Sequence, residues 1–356
     1  MAPPNSLRLV LWITLSAMLL GALLTRLHDQ TESAGAIHAY LHGALVGALT
    51  GASLSGLELF VLRRGAGAAA RRLPFLAYFG LRSLLYLALI LAAESAANHL
   101  MPDAQGIVAP VTGSDVLYSL ALCLGYNLFF GVNALLGSGV LLAFVAGRYY
   151  RPRVEERALL LIDMRSSTMI AERLGEIRFL DLLNRFIADV SLAVTDAGGD
   201  VHKYVGDEVI ATWRLAASDN APSCVAACFA AHAALIARAP AYEREFGLTV
   251  DFRAALHAGP VVVGELGYLK KEIALIGDTM NTAARMEQAC RDVGCRVIAS
   301  ASLLDRLTKL PDGIVRRALG ARPLRGKQQP IELYTLETER EARAAPERLH
   351  LVTRSS

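Results

Sequence analysis

The chain has 356 residues, enough for two domains, and 54% of them are hydrophobic. Its net charge is only +3 and it has no long Lys/Arg tract, so composition excludes a nucleic-acid-binding surface as the main function. The mean hydropathy of +0.38 is high for a purely soluble protein. The excess lies in residues 7–147, whereas residues 148–356 have an ordinary globular composition. We therefore expect a membrane half followed by a soluble half.

Four apolar stretches lie in the first half, at about 7–27, 37–62, 74–97 and 115–147. Each is long enough to cross a hydrocarbon core of about 30 Å as a helix. The first stretch resembles a signal peptide, but its apolar core is long and no convincing small-residue cleavage site follows it. The sequence therefore predicts an α-helical transmembrane bundle of four spans.

The segments that connect these stretches differ in charge. Residues 63–72 carry four arginines and residues 148–153 carry three, whereas 28–33 and 98–115 contain acids and no Lys or Arg. The excess of positive charge marks the cytoplasmic side. Both termini are therefore predicted to be cytoplasmic, with the lipid bilayer as a partner of the first half.

Small residues recur every four positions in the second stretch, at Gly43, Gly47, Gly51 and Ser55. Such a ridge on one helix face permits close contact with another helix. Two interpretations stay open: packing inside one four-helix bundle, or an interface between subunits.

The second half alternates strand and helix patterns. The segment 158–164 is typical of a buried strand, and 166–199 and 220–247 have helical spacing. A hairpin is predicted over 201–213, 248–267 is interpreted as two further strands, and 277–294 as a turn and a helix. This order predicts an α+β domain of the ferredoxin-like kind.

Two acidic residues stand at the ends of predicted strands. Asp163 ends the first strand just before a helix, and Asp207 lies at the tip of the hairpin, where the topology places it beside the first strand. Each alone has a plain explanation, as a helix cap or as a turn residue. Together they form the carboxylate pair that two-metal chemistry on a phosphate requires.

Further motifs accompany these residues in a fixed order. Asp163 with Thr168 is followed by KYVGDEV at 203–209, HAGPVVVGELG at 257–267 and IGDTMNTAARME at 276–287. Their order and spacing resemble the catalytic domain of class III (universal) nucleotidyl cyclases, over about residues 155–337. The resemblance implies a membrane-bound adenylate cyclase of bacterial type, which converts ATP to 3',5'-cyclic AMP and pyrophosphate.

The resemblance also implies roles for individual residues. Asp163 and Asp207 match the metal ligands, with two Mg²⁺ or Mn²⁺ ions per site that activate the ribose 3'-hydroxyl and hold the phosphates. Asn281 and Arg285 match the catalytic residues that position the ribose and stabilise charge at the α-phosphate. Thr168 lies in the phosphate-binding segment, and Arg325 or Lys327 matches a triphosphate-binding cation, with Arg325 favoured.

Base selection is implied for Lys203, where adenylate cyclases of the family have lysine and guanylate cyclases have glutamate. Its expected partner, normally Asp or Thr, is Ala274 in this chain. The loss of a hydrogen-bonding group would relax discrimination by about 1–3 kcal/mol, unless water or another residue replaces it. A second departure is Ser166, which stands where the phosphate loop usually has glycine.

In this family the metals bind to one subunit, and the base-reading lysine, the asparagine and the arginine come from the other. We therefore expect a homodimer with two composite sites. The expected domains are a transmembrane anchor at 1–147, a cytosolic linker at 148–157, a cyclase domain at 158–340 and a flexible tail at 341–356. The implied location is the bacterial inner (plasma) membrane, with the catalytic domain in the cytoplasm.

Four histidines are predicted near the outer ends of the spans: His28, His38, His42 and His99. Imidazoles gathered there are candidate ligands for a transition metal or a haem. The plainer interpretation is that they lie in the headgroup region.

Alternatives to an adenylate cyclase remain. Ala274 leaves open a guanylate or relaxed-specificity cyclase, which Lys203 disfavours. A diguanylate cyclase is suggested only superficially by VGDEV, because the second glycine and the aromatic residue of its GGDEF signature are missing. A membrane receptor with a degenerate cyclase domain would be expected to lack one of Asp163, Asp207 and Arg285, and all three are present.

Overall fold

The structure is a computed structural model that describes residues 4–28, 35–62, 73–102, 113–136, 147–215, 222–269 and 271–343. The chain divides into two compact units, Met1–Leu136 and Gly137–Ser356. Of the flexible tail predicted at 341–356, residues 341–343 are helical, and the rest lies outside the described residues.

The first unit is helical throughout its described residues. Its four α-helices are α1 (Pro4–His28), α2 (Gly35–Gly56), α3 (Phe75–Leu100) and α4 (Gly113–Leu136). A π-helical turn, Leu57–Leu62, continues α2. A helix therefore lies in each of the four predicted stretches, and residues 137–146 at the end of the fourth lie outside the described residues.

Only α3 among these helices, at Leu76–Leu100, is long and apolar enough to qualify as a membrane span among the described residues. A second segment that qualifies, Ser223–Phe246, lies in the other unit. Its residues Cys224, Val225 and Cys228 are fully buried in the core of that unit, as expected of a core helix. The prediction of four membrane spans is thus not confirmed, although four helices form.

The ridge of small residues on α2 packs against α1. A Cβ atom added at Gly47 would lie 2.1 Å from the carbonyl oxygen of Ala17, so no larger residue fits without movement of the backbone. A Cβ atom added at Gly51 would lie 2.9 Å from the Cβ of Ala17 and 3.0 Å from the Cα of Thr14. Packing inside the unit therefore accounts for this ridge.

A buried polar cluster that was not predicted from the sequence joins the π-helical turn to α3. Glu58, Arg82 and Tyr86 are each less than 9% exposed. The Arg82 Nε lies 2.7 Å from Glu58 Oε1, and the Tyr86 hydroxyl donates to the same carboxylate. The acid and the base therefore compensate each other's charge inside the helical unit.

The second unit is built on one mixed sheet. Its strands are β1 (Arg153–Met164), β2 (Asp200–Val205), β3 (Glu208–Arg214), β4 (Phe252–Leu266), β5 (Glu272–Ile276), β6 (Val297–Ser300), β7 (Ile314–Arg322) and β8 (Ile331–Thr338). The order is β2-β3-β1-β4-β6-β8-β7, and β5 also pairs with β4. Only β4 and β6 are parallel neighbours among the described strands.

The helices of this unit are α5 (Ser167–Leu174), α6 (Glu176–Asp196), α7 (Pro222–Phe246), α8 (Asp278–Val293) and the short α9 (Ala301–Leu304). Two hydrophobic cores result. One contains apolar residues of α6 and α7, and the other contains Ala283, Met286 and Cys290 of α8. This arrangement agrees with the predicted α+β class.

Two local predictions were wrong. Residues 252–266 form one strand rather than two, because Pro260 fits at a place where the edge of β4 away from β1 has no partner strand. Its carbonyl accepts instead from the Thr279 hydroxyl at 2.6 Å. The helix predicted over 166–199 is broken at Gly175, whose φ of 76° interrupts the helical backbone.

Candidate functional site

The period of β1 decides where Asp163 points. Leu160 and Ile162 belong to the core beside α6 and α7, whereas Leu159 and Leu161 belong to the core beside α8. Because side chains alternate along a strand, Asp163 falls on the α8 side. Arg291 of α8 confirms this placement, since its guanidinium donates to Asp163 Oδ2 at 3.3 Å.

Asp207 lies in the two-residue turn between β2 and β3. Gly206 has a φ of 62°, which suits the tight turn, and β3 pairs with β1 so that Glu208 lies opposite Asp163. The Asp207 Oδ2 atom is buried and has no hydrogen-bond partner among the described residues. A buried carboxylate oxygen without a partner is costly, so a ligand is the natural explanation for it.

The acids around this point repel one another. Burial raises the pKa of Asp163 to about 6, and the charges of Asp207 and Glu287 add to the rise. Burial likewise raises the pKa of Glu208 to about 7, followed by repulsion from Glu287, Asp163 and Asp207. Arg291 offsets only part of this negative charge.

This group of oxygens fits a divalent cation. Carboxylates are the ligands that Mg²⁺ prefers, and it commonly takes one or two of them together with water and substrate phosphates. No group of three or more His, Cys, Asp and Glu side chains forms a ready-made metal cage in the described part of the chain. The fit therefore rests on Asp163 and Asp207, with the unpartnered Asp207 oxygen as the observation that supports it.

The segment after Asp163 has an unusual backbone. Ser166 has φ 58° and ψ 28°, the left-handed conformation, and is the only described residue other than glycine with positive φ. Glycine adopts this conformation without steric cost, which explains why it would be suited to this position. Thr168, in the first turn of α5, is exposed.

Lys203 lies on β2, and its ammonium group contacts β5. Its Nζ lies 3.3 Å from Glu272 Oε1, and both side chains are about half-exposed. Ala274, two residues further along β5, is 9% exposed and is paired with Gly264 of β4. The structure therefore brings Lys203 to the strand that carries Ala274, but the polar group that Lys203 meets is Glu272.

Asn281 and Arg285 lie one turn apart on α8, so they share a face of the helix. Asn281 is exposed, and Arg285 lies against Gly326, where an added Cβ would be 3.2 Å from the guanidinium. Arg325 beside it is exposed. The turn at 325–327 and the first half of α8 thus form one cationic surface.

A cavity of about 510 Å³ lies next to this surface. It is lined by Lys327 and Asp278, which form an ion pair, and by His257, whose Nδ1 lies 2.8 Å from the Ser300 hydroxyl. Burial lowers the pKa of His257 to about 4, and the charge of Lys327 adds to the effect. This histidine is therefore neutral at pH 7.

The predicted site residues fall into two groups. Asp163 interacts with Asp207, Glu287 and Arg291, and it forms no hydrogen bond or ion pair with Lys203, Asn281 or Arg285 among the described residues. Four further residues at the site were not predicted: Glu208, Glu287, Arg291 and Glu272. Glu287 and Arg291 are four residues apart on α8, so helical spacing was a signal that they share a face. Nothing local in the sequence indicated that this face meets Asp163, and the positions of Glu208 and Glu272 depend on strand pairing.

The described histidines of the helical unit belong to no metal-binding group of three or more His, Cys, Asp and Glu side chains. His42 Nε2 lies 2.7 Å from Asn98 Oδ1, and His99 Nδ1 lies 2.7 Å from the carbonyl oxygen of Ser95. His38 is exposed, and the side chain of His28 lies outside the described residues. The expectation of a metal or haem on these residues finds no support there.

Comparison with known proteins defines the class. The family model described as the adenylate and guanylate cyclase catalytic domain matches residues 149–338, more than half of the chain. The chain therefore belongs to this family, and its second unit is a class III cyclase domain.

Individual relatives agree with this assignment. The chain is 33% identical to adenylate cyclase 2 of Rhizobium meliloti over 244 residues, which cover 68% of this chain and 64% of the relative. It is 26% identical to an adenylate cyclase of Anabaena cylindrica over 192 residues, 50% of this chain and 36% of that one. The chain thus spans less than two thirds of either relative.

A solved bacterial light-regulated adenylyl cyclase has the same fold in the aligned part, with a TM-score of 0.52 and 19% identity. The match covers 64% of this chain and 66% of that structure.

Proposed function

We propose that this protein is a membrane-bound adenylate cyclase that converts ATP to 3',5'-cyclic AMP and pyrophosphate. Membership of the cyclase family and the similarity to two adenylate cyclases support the reaction class. The observation that carries the proposal is the buried Oδ2 atom of Asp207, which has no hydrogen-bond partner among the described residues and lies beside Asp163. A bound cation would compensate this oxygen and the neighbouring negative charge.

Asp163 and Asp207 would hold Mg²⁺ or Mn²⁺, two ions per site. When bound, these ions lower the pKa of the ribose 3'-hydroxyl and neutralise charge on the phosphates. The carboxylates themselves bind and orient, and Thr168 at the start of α5 offers a hydroxyl and a helix N-terminus to phosphate oxygens.

Arg285 would stabilise the negative charge that develops on the α-phosphate, because a guanidinium stays charged and presents a rigid fork of donors. Asn281, one turn earlier, would orient the ribose. Arg325, exposed at the turn that contacts Arg285, would bind the terminal phosphates. Lys327 is the weaker candidate for that role, because its ammonium is engaged by Asp278.

Lys203 would donate to the purine ring and favour ATP. Ala274 cannot supply a second hydrogen bond, and this favours relaxed specificity as the second candidate function. A guanylate cyclase or a dual-specificity enzyme would use the same carboxylates and the same Arg285, so only the base would differ.

The active form would be a homodimer with two composite sites. Among the described residues Asp163 forms no hydrogen bond or ion pair with Lys203, Asn281 or Arg285, which is compatible with this arrangement. Mixing an Asp163→Ala chain with an Arg285→Ala chain tests it. Random pairing makes about half of the dimers mixed, each with one intact site of two, so activity should return to about a quarter of the wild-type value.

The helical unit would anchor the enzyme in the bacterial inner membrane, with both termini in the cytoplasm. The apolar α3 and the arginines at 63–72 and 148–153 support this orientation. Membrane fractionation tests the anchor, and recovery of the protein in the soluble fraction would contradict it.

The reaction is tested directly with purified full-length protein. It is incubated with ATP or GTP and with Mg²⁺ or Mn²⁺, and cyclic product is measured for the wild type and for Asp207→Ala. Cyclic AMP from the wild type and none from the variant would support the proposal. Equal product from both proteins would refute the metal assignment, and no product from the folded wild type would favour a degenerate receptor.

A further inference from the structure

The first observation is a contact between two strands that are distant in sequence. Lys203 on β2 and Glu272 at the start of β5 are separated by 69 positions, yet the ammonium lies 3.3 Å from the carboxylate. Lys203 is the residue assigned above to the purine base. Glu272 is therefore the acid that pairs with the proposed base-binding group among the described residues.

The second observation concerns the face of β5 on which Glu272 lies. Residues two apart on a strand share a face, so Glu272 and Ala274 point to the same side of β5. Ala274 is buried and has only a methyl group, and its cross-strand partner Gly264 has no side chain. No polar side chain from either of these two positions can reach Lys203, so Glu272 alone among the three can act as an acceptor.

The chemistry of adenine calls for such an acceptor. Its hydrogen-bonding edge presents the ring nitrogen N1, an acceptor, beside the exocyclic N6 amino group, a donor. A lysine ammonium has donors and no acceptor, whereas an ionised carboxylate only accepts. Lys203 alone satisfies half of that edge, and the adjacent pair Lys203 and Glu272 can satisfy both halves.

A contribution to the stability of the fold does not explain the Lys203–Glu272 ion pair. Both side chains are about half-exposed, and ion pairs of this kind contribute little to the free energy of unfolding. Substitution of Glu272 should therefore leave the fold intact and report on binding.

We propose that Glu272 is a specificity-determining residue that accepts a hydrogen bond from the adenine amino group while Lys203 donates to N1. This inference rests on the proposed cyclase function. Glu272, two residues earlier on the same face of β5, would thus provide the hydrogen-bond acceptor that was expected at position 274.

The test measures kcat/KM for ATP and for GTP in the wild type, Glu272→Ala and Glu272→Gln. A site that leaves one hydrogen-bonding group of the base unpaired discriminates poorly, so Glu272→Ala should lower the ATP-to-GTP ratio by about tenfold. Glu272→Gln removes the charge but keeps a carbonyl acceptor, so it should retain most of the ratio. Glu265→Ala is the matched control, because Glu265 pairs with Lys271 on the neighbouring part of the sheet and should leave the ratio unchanged.

Three results would overturn the inference. If Glu272→Ala lowers kcat/KM equally for both nucleotides, Glu272 acts only by holding Lys203 in place. If Glu272→Gln loses the ratio as fully as Glu272→Ala, the charge matters rather than the acceptor. If the variants lose GTP turnover selectively, the acid reads guanine. A folded wild type that makes no product from either nucleotide would instead refute the proposed function, and the inference with it.

Discussion

The two groups of site residues are held in place by different means. Asp163 and Asp207 are held by strand pairing: Asp163 lies near the end of β1, and Asp207 lies in the β2–β3 hairpin, whose strand β3 pairs with β1. Lys203, Asn281 and Arg285 lie on exposed or half-exposed surfaces and are supported by single neighbours such as Glu272 and the turn at Gly326.

This difference predicts which of the two groups affects the stability of the fold as well as the activity. The acidic group concentrates negative charge in a partly buried place, which the fold tolerates at a cost in stability. The cationic group lies near water, where charges cost little. Changes to the acidic group should therefore affect folding and activity in opposite directions, whereas changes to the cationic group should affect activity alone.

The largest effect is expected for Asp207→Asn. Loss of a metal-binding carboxylate should reduce cyclic AMP formation by at least about 1000-fold. The melting temperature should rise, because a negative charge beside Asp163 disappears. Activity assays and thermal unfolding check both, with the exposed Asp181→Asn as the control, and a lowered melting temperature would contradict the account of the buried charges.

Arg285→Ala should reduce kcat by about 100-fold, the scale of one lost stabilising group at a developing oxyanion. Its melting temperature should stay close to that of the wild type, because the side chain is only partly buried. Arg285→Lys should fall between the two, since a lysine keeps the charge but lacks the planar fork. The control Arg244→Ala, at an exposed position on α7, should have the kcat of the wild type. A loss of kcat in this control equal to that in Arg285→Ala would show that the effect is not specific to Arg285.

His257, which is buried beside Lys327, should make the stability of the second unit depend on pH. Its pKa is about 4 in the native protein and about 6.5 when unfolded, so the unfolded chain binds the proton first as the pH falls. The contribution to stability is complete above pH 6.5 and is lost toward pH 4. At pH 5 the loss is about 2 kcal/mol for this group alone.

Denaturant unfolding at pH 7 and pH 5, followed by the fluorescence of the buried Trp213, measures this loss. His257→Gln should lose about 2 kcal/mol less than the wild type over the same interval. Equal losses in the two proteins would mean that His257 does not titrate as its burial implies.

The smallest effect is expected for Ser166→Gly. A left-handed backbone strains any residue with a Cβ atom, so glycine should raise the free energy of unfolding by about 0.5–1 kcal/mol. Ala171→Gly, in the interior of α5, should lower it by about 1 kcal/mol. Thermal unfolding of the two variants compares them, and a shift of the same sign in both would argue against strain at Ser166.

Local patterns in the sequence predicted the strand that ends at Asp163, the hairpin that carries Asp207 and the helix that carries Asn281 and Arg285. They predicted these because alternation, turn residues and helical spacing are properties of neighbouring residues. The contact of Lys203 with Glu272, the acids that face Asp163 and the pairing of Glu58 with Arg82 depend on which elements meet in space. A single sequence carries no local signal for such pairings.

Helix α8 has 16 residues and is therefore about 24 Å long. Its first turns carry Asn281 and Arg285, and its last turns carry Glu287 and Arg291 beside Asp163. It contains no proline and no glycine between Asp278 and Val293. A straight helix of this kind moves as one body, so any tilt or sliding of α8 displaces both groups of residues together, and neither can be adjusted alone.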